Sequence, residues 1–103
     1  MSENVKKGGA PLVEGKYLMY KDRPLVREGD TICYGDMTEK YILVMEIMTY
    51  KNDGGEQLPD QILVQVLESQ NQSKILRQGF MTGLQEAFSS GIKWLEHALA
   101  QNA

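Results

Sequence analysis

One histidine, His97, and one cysteine, Cys33, limit the covalent and acid–base chemistry open to this 103-residue chain. A Ser-His-Asp or Cys-His pair would have to use His97. That residue falls near the end of a helical pattern, on the side away from its apolar arc. There it suits a surface role beside the partial negative charge of the helix C-terminus. Cys33 lies between Ile32 and Tyr34 in a short apolar run, and is expected as a buried, inert thiol. A reactive thiolate needs a cationic neighbour, and none stands close in sequence. A metal site would have to be built from carboxylates alone, and none is expected.

The remaining candidates are carboxylates. Asp36 and Glu39 flank a turn, where acids ordinarily cap or solvate the loop. General acid–base work by such a pair would need an apolar wall to raise one pKa, and the sequence supplies none. Glu46 is the one charge in YILVMEIMTY (41–50). It marks the solvent side of that strand, or else a polar group in a pocket or an interface. Six methionines suggest an adaptable surface, but Met45 and Met48 fall on opposite strand faces and Met81 is expected on a helix. Gly54-Gly55 is followed by neither Lys-Ser nor a helix start, so it is no phosphate loop. No catalytic residue, cofactor or metal ligand is expected.

The elements that must carry these residues form a meander. Residues 1–15, with Gly8-Gly9-Ala10-Pro11, read as a flexible tail, and 16–103 as one domain. Tyr17–Tyr20, Pro24–Arg27 and Thr31–Tyr34 are short strands separated by Lys21-Asp22-Arg23 and Glu28-Gly29-Asp30. Tyr41–Tyr50 is the strongest strand, and Lys51–Gly55 carries turn chemistry. Gln61–Glu68 is the fifth strand. A helix is expected from an N-cap at Ser73 to about Gln101, with Leu76, Phe80, Leu84, Phe88, Ile92, Leu95 and Leu99 on one apolar arc. The fold class is therefore α+β, an antiparallel meander of about five strands with one long C-terminal helix across one face.

Composition removes several functional classes. Fourteen acidic against eleven basic residues give a formal charge of −3, which opposes non-specific binding to nucleic acid. No apolar run approaches membrane-spanning length, and no export signal is legible. With a single cysteine, the expected compartment is the cytoplasm.

Tyr20–Arg27 (YKDRPLVR), Tyr34-Gly35-Asp36 and Trp94–Leu99 (WLEHAL) resemble the corresponding segments of a group of small bacterial proteins of unknown function. The resemblance spans roughly 17–99 and implies the same sheet-plus-helix fold, with no known activity. In that group a glycine stands in the first turn where this chain has Asp22.

Two features point to a partner. The 41–50 strand is apolar on both faces, with Leu43, Met45 and Ile47 on one and Ile42, Val44 and Met48 on the other. Leu63 and Leu67 repeat the excess on the fifth strand, although one helix can cover only one face. Gly79, Gly83, Ala87 and Gly91 also recur every four residues along the expected helix, as close packing requires. The leading expectation is a non-enzymatic homodimeric interaction module using Ile42, Val44, Met48, Leu63, Leu67, Gly79 and Gly83. The alternative is a small-ligand binder or small enzyme with a helix–sheet pocket lined by Arg27, Tyr34, Met45 and Trp94.

Overall fold

Tight turns set the first strands in register. The computed structural model describes residues 17–101, so the expected tail over 1–15 lies outside the described residues. β1 (Tyr17–Tyr20) pairs with β2 (Arg23–Glu28), with Tyr20 opposite Arg23. Only Lys21 and Asp22 separate them, and both have positive φ, 51° and 66°. This is the twist that a two-residue hairpin demands. β2 then pairs with β3 (Thr31–Tyr34) across Gly29-Asp30.

β4 (Tyr41–Ile47) pairs with β3 and, on its other side, with β7 (Gln61–Glu68). The expected single strand over 41–50 is broken. The Met48 and Thr49 N–H groups both donate to the Gln61 carbonyl, at 2.8 and 3.3 Å. Two residues facing one bend a ribbon as a bulge does. Beyond the bend, β5 (Tyr50–Asp53) and β6 (Glu56–Pro59) form a separate two-stranded arm.

β8 (Ile75–Thr82) is the largest departure from expectation. It pairs antiparallel with β7, and a register shift opposite Val66 and Leu67 leaves Leu76 out of the pairing. Ser73 is not an N-cap; its hydroxyl donates to Asn71 Oδ1 in the β7–β8 loop. The helix, α1 (Leu84–Gln101), starts ten residues later than an N-cap at Ser73 would place it. Gly83 precedes it with φ 87°, and its carbonyl accepts the Ala87 N–H. The sheet order is β1-β2-β3-β4-β7-β8. The α+β class holds, with six strands in the main sheet and two in the arm.

The core lies between the sheet and α1. Leu25, Ile32, Tyr34, Leu43, Met45, Val64 and Val66 meet Ala87, Ile92, Leu95 and Ala98. Gly91 fixes how close the helix comes. A Cβ there would sit 2.7 and 2.9 Å from the two methyls of Leu43 and 3.2 Å from Val64 Cγ1. To one side, Phe88 makes tilted and edge contacts with Tyr20 and Tyr34, with ring centroids 5.4 and 5.5 Å apart. To the other, Trp94 lies over Gly79 while the Arg77 guanidinium stacks on its indole at 4.1 Å.

Two substitutions test these constraints. In Gly91→Ala, about 1 kcal/mol of helix propensity is outweighed by an overpacking cost of about 1–3 kcal/mol. Urea unfolding should report a net loss, reduced in a Leu43→Val background. Asp22→Gly removes left-handed strain of about 1–2 kcal/mol against an entropic cost of about 0.4–1 kcal/mol. Its Tm should rise by a few degrees.

Candidate interaction face and adjoining cleft

Strand alternation sends every second side chain to the side of the sheet that α1 does not cover. The register assembles these into rows. One row runs Met19, Pro24, Gly35, Ile42, Leu67, Ile75. The next runs Val26, Cys33, Val44, Gln65, Gln78, and a third runs Glu28, Thr31, Glu46, Leu63, Phe80. The first row is apolar throughout, with Gly35, just past the end of β3, standing between Pro24 and Ile42. No described helix lies on this side.

Exposure along the face is graded. Ile42 is 3% exposed and Leu67 5%, so the middle of the first row is already buried within the single chain. A Cβ on Gly35 would meet Ile42 Cγ2 at 2.9 Å, so the glycine leaves the isoleucine room to lie across the strand. Toward the edge strands, Met19 is 52% exposed, Ile75 44% and Phe80 62%. Polar groups are few. Gln65 and Gln78 satisfy each other through a 2.9 Å hydrogen bond. Thr31 donates to Glu46 at 3.4 Å, which leaves one acidic corner at Glu28 and Glu46. Glu46 thus faces solvent, as its place in the strand suggests.

On the helix side, α1 lies over β4, β7 and β8. Over the β1–β3 half the helix contributes side chains from its first turns, among them Leu84 and Phe88. Between them and the strands runs a cleft of about 400 Å³ lined by Leu18, Leu25, Ile32, Met45, Leu84 and Phe88, with Arg27 and Gln85 as its polar members. Arg27 is half-buried. Its Nε donates to the Gly29 carbonyl at 2.9 Å and its Nη2 to the Tyr50 hydroxyl at 3.5 Å. Tyr50 in turn donates to Asp30 Oδ1 at 2.6 Å. That bond and the nearby charge of Asp30 push the phenol pKa up, and the same bond ties the β5–β6 arm to the β2–β3 turn.

Arg23 is spent on a bidentate pair with Glu39, at 2.8 and 3.1 Å. The Tyr34 hydroxyl donates to the Tyr20 carbonyl, and Ser69 Oγ donates to the Glu39 and Lys40 carbonyls. Asp36 accepts from the Thr38 N–H and hydroxyl, which hold its carboxyl below the ordinary range. Among the described residues, no three His, Cys, Asp or Glu side chains gather as a metal site requires. None of the described helices is long and apolar enough to cross a membrane. No protein-family model, curated protein or solved structure gives a significant match to the chain.

The structure sorts the residues singled out from sequence. Ile42, Val44, Leu63 and Leu67 do share the uncovered face, whereas Met48 is exposed at the bend after β4. Gly79 belongs to β8 and faces the helix beneath Trp94, and Gly83 is the junction before α1. The four-residue row of small residues is therefore not a helix surface; only Ala87 and Gly91 lie on α1, and both are buried. Arg27 and Met45 line one cleft. Tyr34 is sealed beneath Phe88, and Trp94 lies on the other flank of α1. Cys33 is exposed, not buried, because the alternation of β3 turns it away from α1.

Met19, Val26, Phe80 and Ile75 were missed as members of the face, and Leu18, Leu84 and Phe88 as members of the cleft. Alternation could have placed Val26 opposite Leu25. The others depend on pairing partners that no local pattern announces.

The neighbouring sheet surface raises the Cys33 thiol pKa, and Glu28 and Glu46 raise it further. Thiolate is the reactive form, so alkylation by iodoacetamide at neutral pH should be slower than for a free thiol. Its rate should climb only above the usual thiol range, and Glu46→Gln should move that rise to lower pH. The measurement is a rate–pH profile on dilute protein.

Proposed function

We propose that this protein is a non-enzymatic interaction module, working in the cytoplasm as a homodimer whose subunits meet through the uncovered side of the six-stranded sheet. One observation carries the reading. An apolar row crosses the sheet through Ile42 and Leu67, continues into Val26, Val44, Leu63 and Phe80, and ends at β8 in exposed Ile75 and Phe80, with no described helix on this side.

Magnitude supports it. With strands about 4.8 Å apart and about 3.4 Å per residue, the face has a flat footprint on the order of 600 Å². Standard interfaces take roughly 800 Å² of accessible surface from each partner, and a corrugated face exceeds its flat footprint. The exposed apolar side chains at its β8 edge, Ile75 and Phe80, are of the kind that mark interaction sites when they gather in one patch. A two-fold axis is the commonest way to pair one patch with itself. Phe80, the most exposed large apolar side chain, is the kind of aromatic anchor that dominates such contacts. The face carries no lysine or arginine in its rows, so the acidic corner at Glu28 and Glu46 has to sit at the rim.

Light scattering should give twice the 11.6 kDa chain mass at micromolar concentration. Phe80→Asp, at an edge position that costs the single chain little, should weaken the dimer by at least tenfold and leave the circular dichroism unchanged. Cys33 gives an independent reading, since maleimide labelling should slow as protein concentration rises. A mass near 11.6 kDa with concentration-independent labelling would overturn the proposal.

A further inference from the structure

The cleft beside Phe88 sits on the opposite side of the sheet from the proposed dimer face, and its chemistry stands independently. We propose that it is a binding site for a small amphipathic monocarboxylate, an aliphatic or aromatic acid with its tail over Ile32 and Met45 and its carboxylate on Arg27.

The tail's environment follows from the lining. Leu18, Leu25, Ile32, Met45, Leu84 and Phe88 present hydrocarbon and one aromatic ring from five elements, β1, β2, β3, β4 and α1. The volume, about 400 Å³, lies within the roughly 300–1,000 Å³ usual for small-ligand sites, which are apolar with a few placed polar groups. The neighbouring hollow of about 740 Å³ along the arm has a different character. Lys51, Asp60, Glu86 and Ser89 line it along with Leu58 and Pro59, so charges of both signs already face one another there.

The head group follows from Arg27. A guanidinium has five N–H donors in a fixed fork suited to a carboxylate. Arg27 spends one on Gly29 and a second, weakly, on Tyr50. Those two contacts hold the fork in place, and Nη1 donates to no described residue. No described carboxylate forms an ion pair with it; Arg23 and Lys74 hold the ion pairs of the described residues. Asp30, the nearest acid in the network, is engaged by the Tyr50 hydroxyl. A half-buried arginine with unspent donors beside an apolar cleft is thus complementary to one negative charge. The Gln85 amide completes the polar end. A neutral hydrocarbon would leave the guanidinium unanswered, and a dianion would bring one charge more than the cleft can match.

The test is a titration of the full ¹⁵N-labelled chain with decanoate, and separately with decanol, below micelle-forming concentrations. Decanoate should shift the amide signals of Leu18, Ile32, Leu84 and Phe88. Arg27→Gln should weaken decanoate binding at least tenfold and leave decanol binding unchanged, whereas Arg27→Lys should retain much of the preference for the acid. The unliganded spectra of the variants establish that the fold persists. Equal decanoate affinity in the wild type and Arg27→Gln would overturn the proposal. So would shifts confined to Val44, Leu63 and Phe80 on the open face, or no shift at millimolar decanoate. Repeating the titration on Phe80→Asp separates this site from the dimer, because cleft binding should survive loss of the interface.

Discussion

The seat of α1 on β4 and β7 governs the rest of the molecule. Gly91 has no side chain, so the helix backbone approaches until the Leu43 and Val64 side chains fill the space a Cβ would take. That contact fixes the height of the helix above the sheet. Leu95 and Ala98 then bury against the strands behind it, while Phe88 reaches down to Tyr20 and Tyr34 in front. A helix about 10 Å across centred on β4 and β7 cannot also roof β1 to β3. The cleft beside Phe88 follows from having one described helix for six strands.

Much of this fold is legible in the chain. The first hairpins announce themselves through short apolar runs and turn residues, and Ile62, Val64 and Val66 alternate as a half-buried strand should. β8 was illegible for a physical reason. Leu76, Phe80 and Leu84 stand four apart, which is a helical spacing, yet Leu76 falls in the register shift and Phe80 points away from the helix. An edge strand has one neighbour and an exposed flank, so its side chains need not alternate cleanly. Propensity and period gave way there to the pairing that β7 offered.

That displacement changes what the site reading means. Expected on a helix, Gly79 suggested contact with a second helix; in β8 it is the floor on which the Trp94 indole lies. The surplus of apolar residues on β4 and β7 was visible as composition, and the register converts it into rows reaching both edge strands. The cleft could not be foreseen as a unit. Its members come from β1, β2, β3, β4 and α1, and only Arg27 and Met45 were singled out, without the aromatic ring that walls it.

The order of elements has a consequence for synthesis. Every strand of the sheet precedes α1 in the chain, and the β7–β8 pair closes just before the helix begins. As the polypeptide leaves the ribosome, the strands can pair into a sheet whose two sides are both still greasy. The residues that cloak one of them emerge only afterwards. During that interval the nascent chain is at its most adhesive, and a copy stalled or cut before Leu84 would remain so permanently.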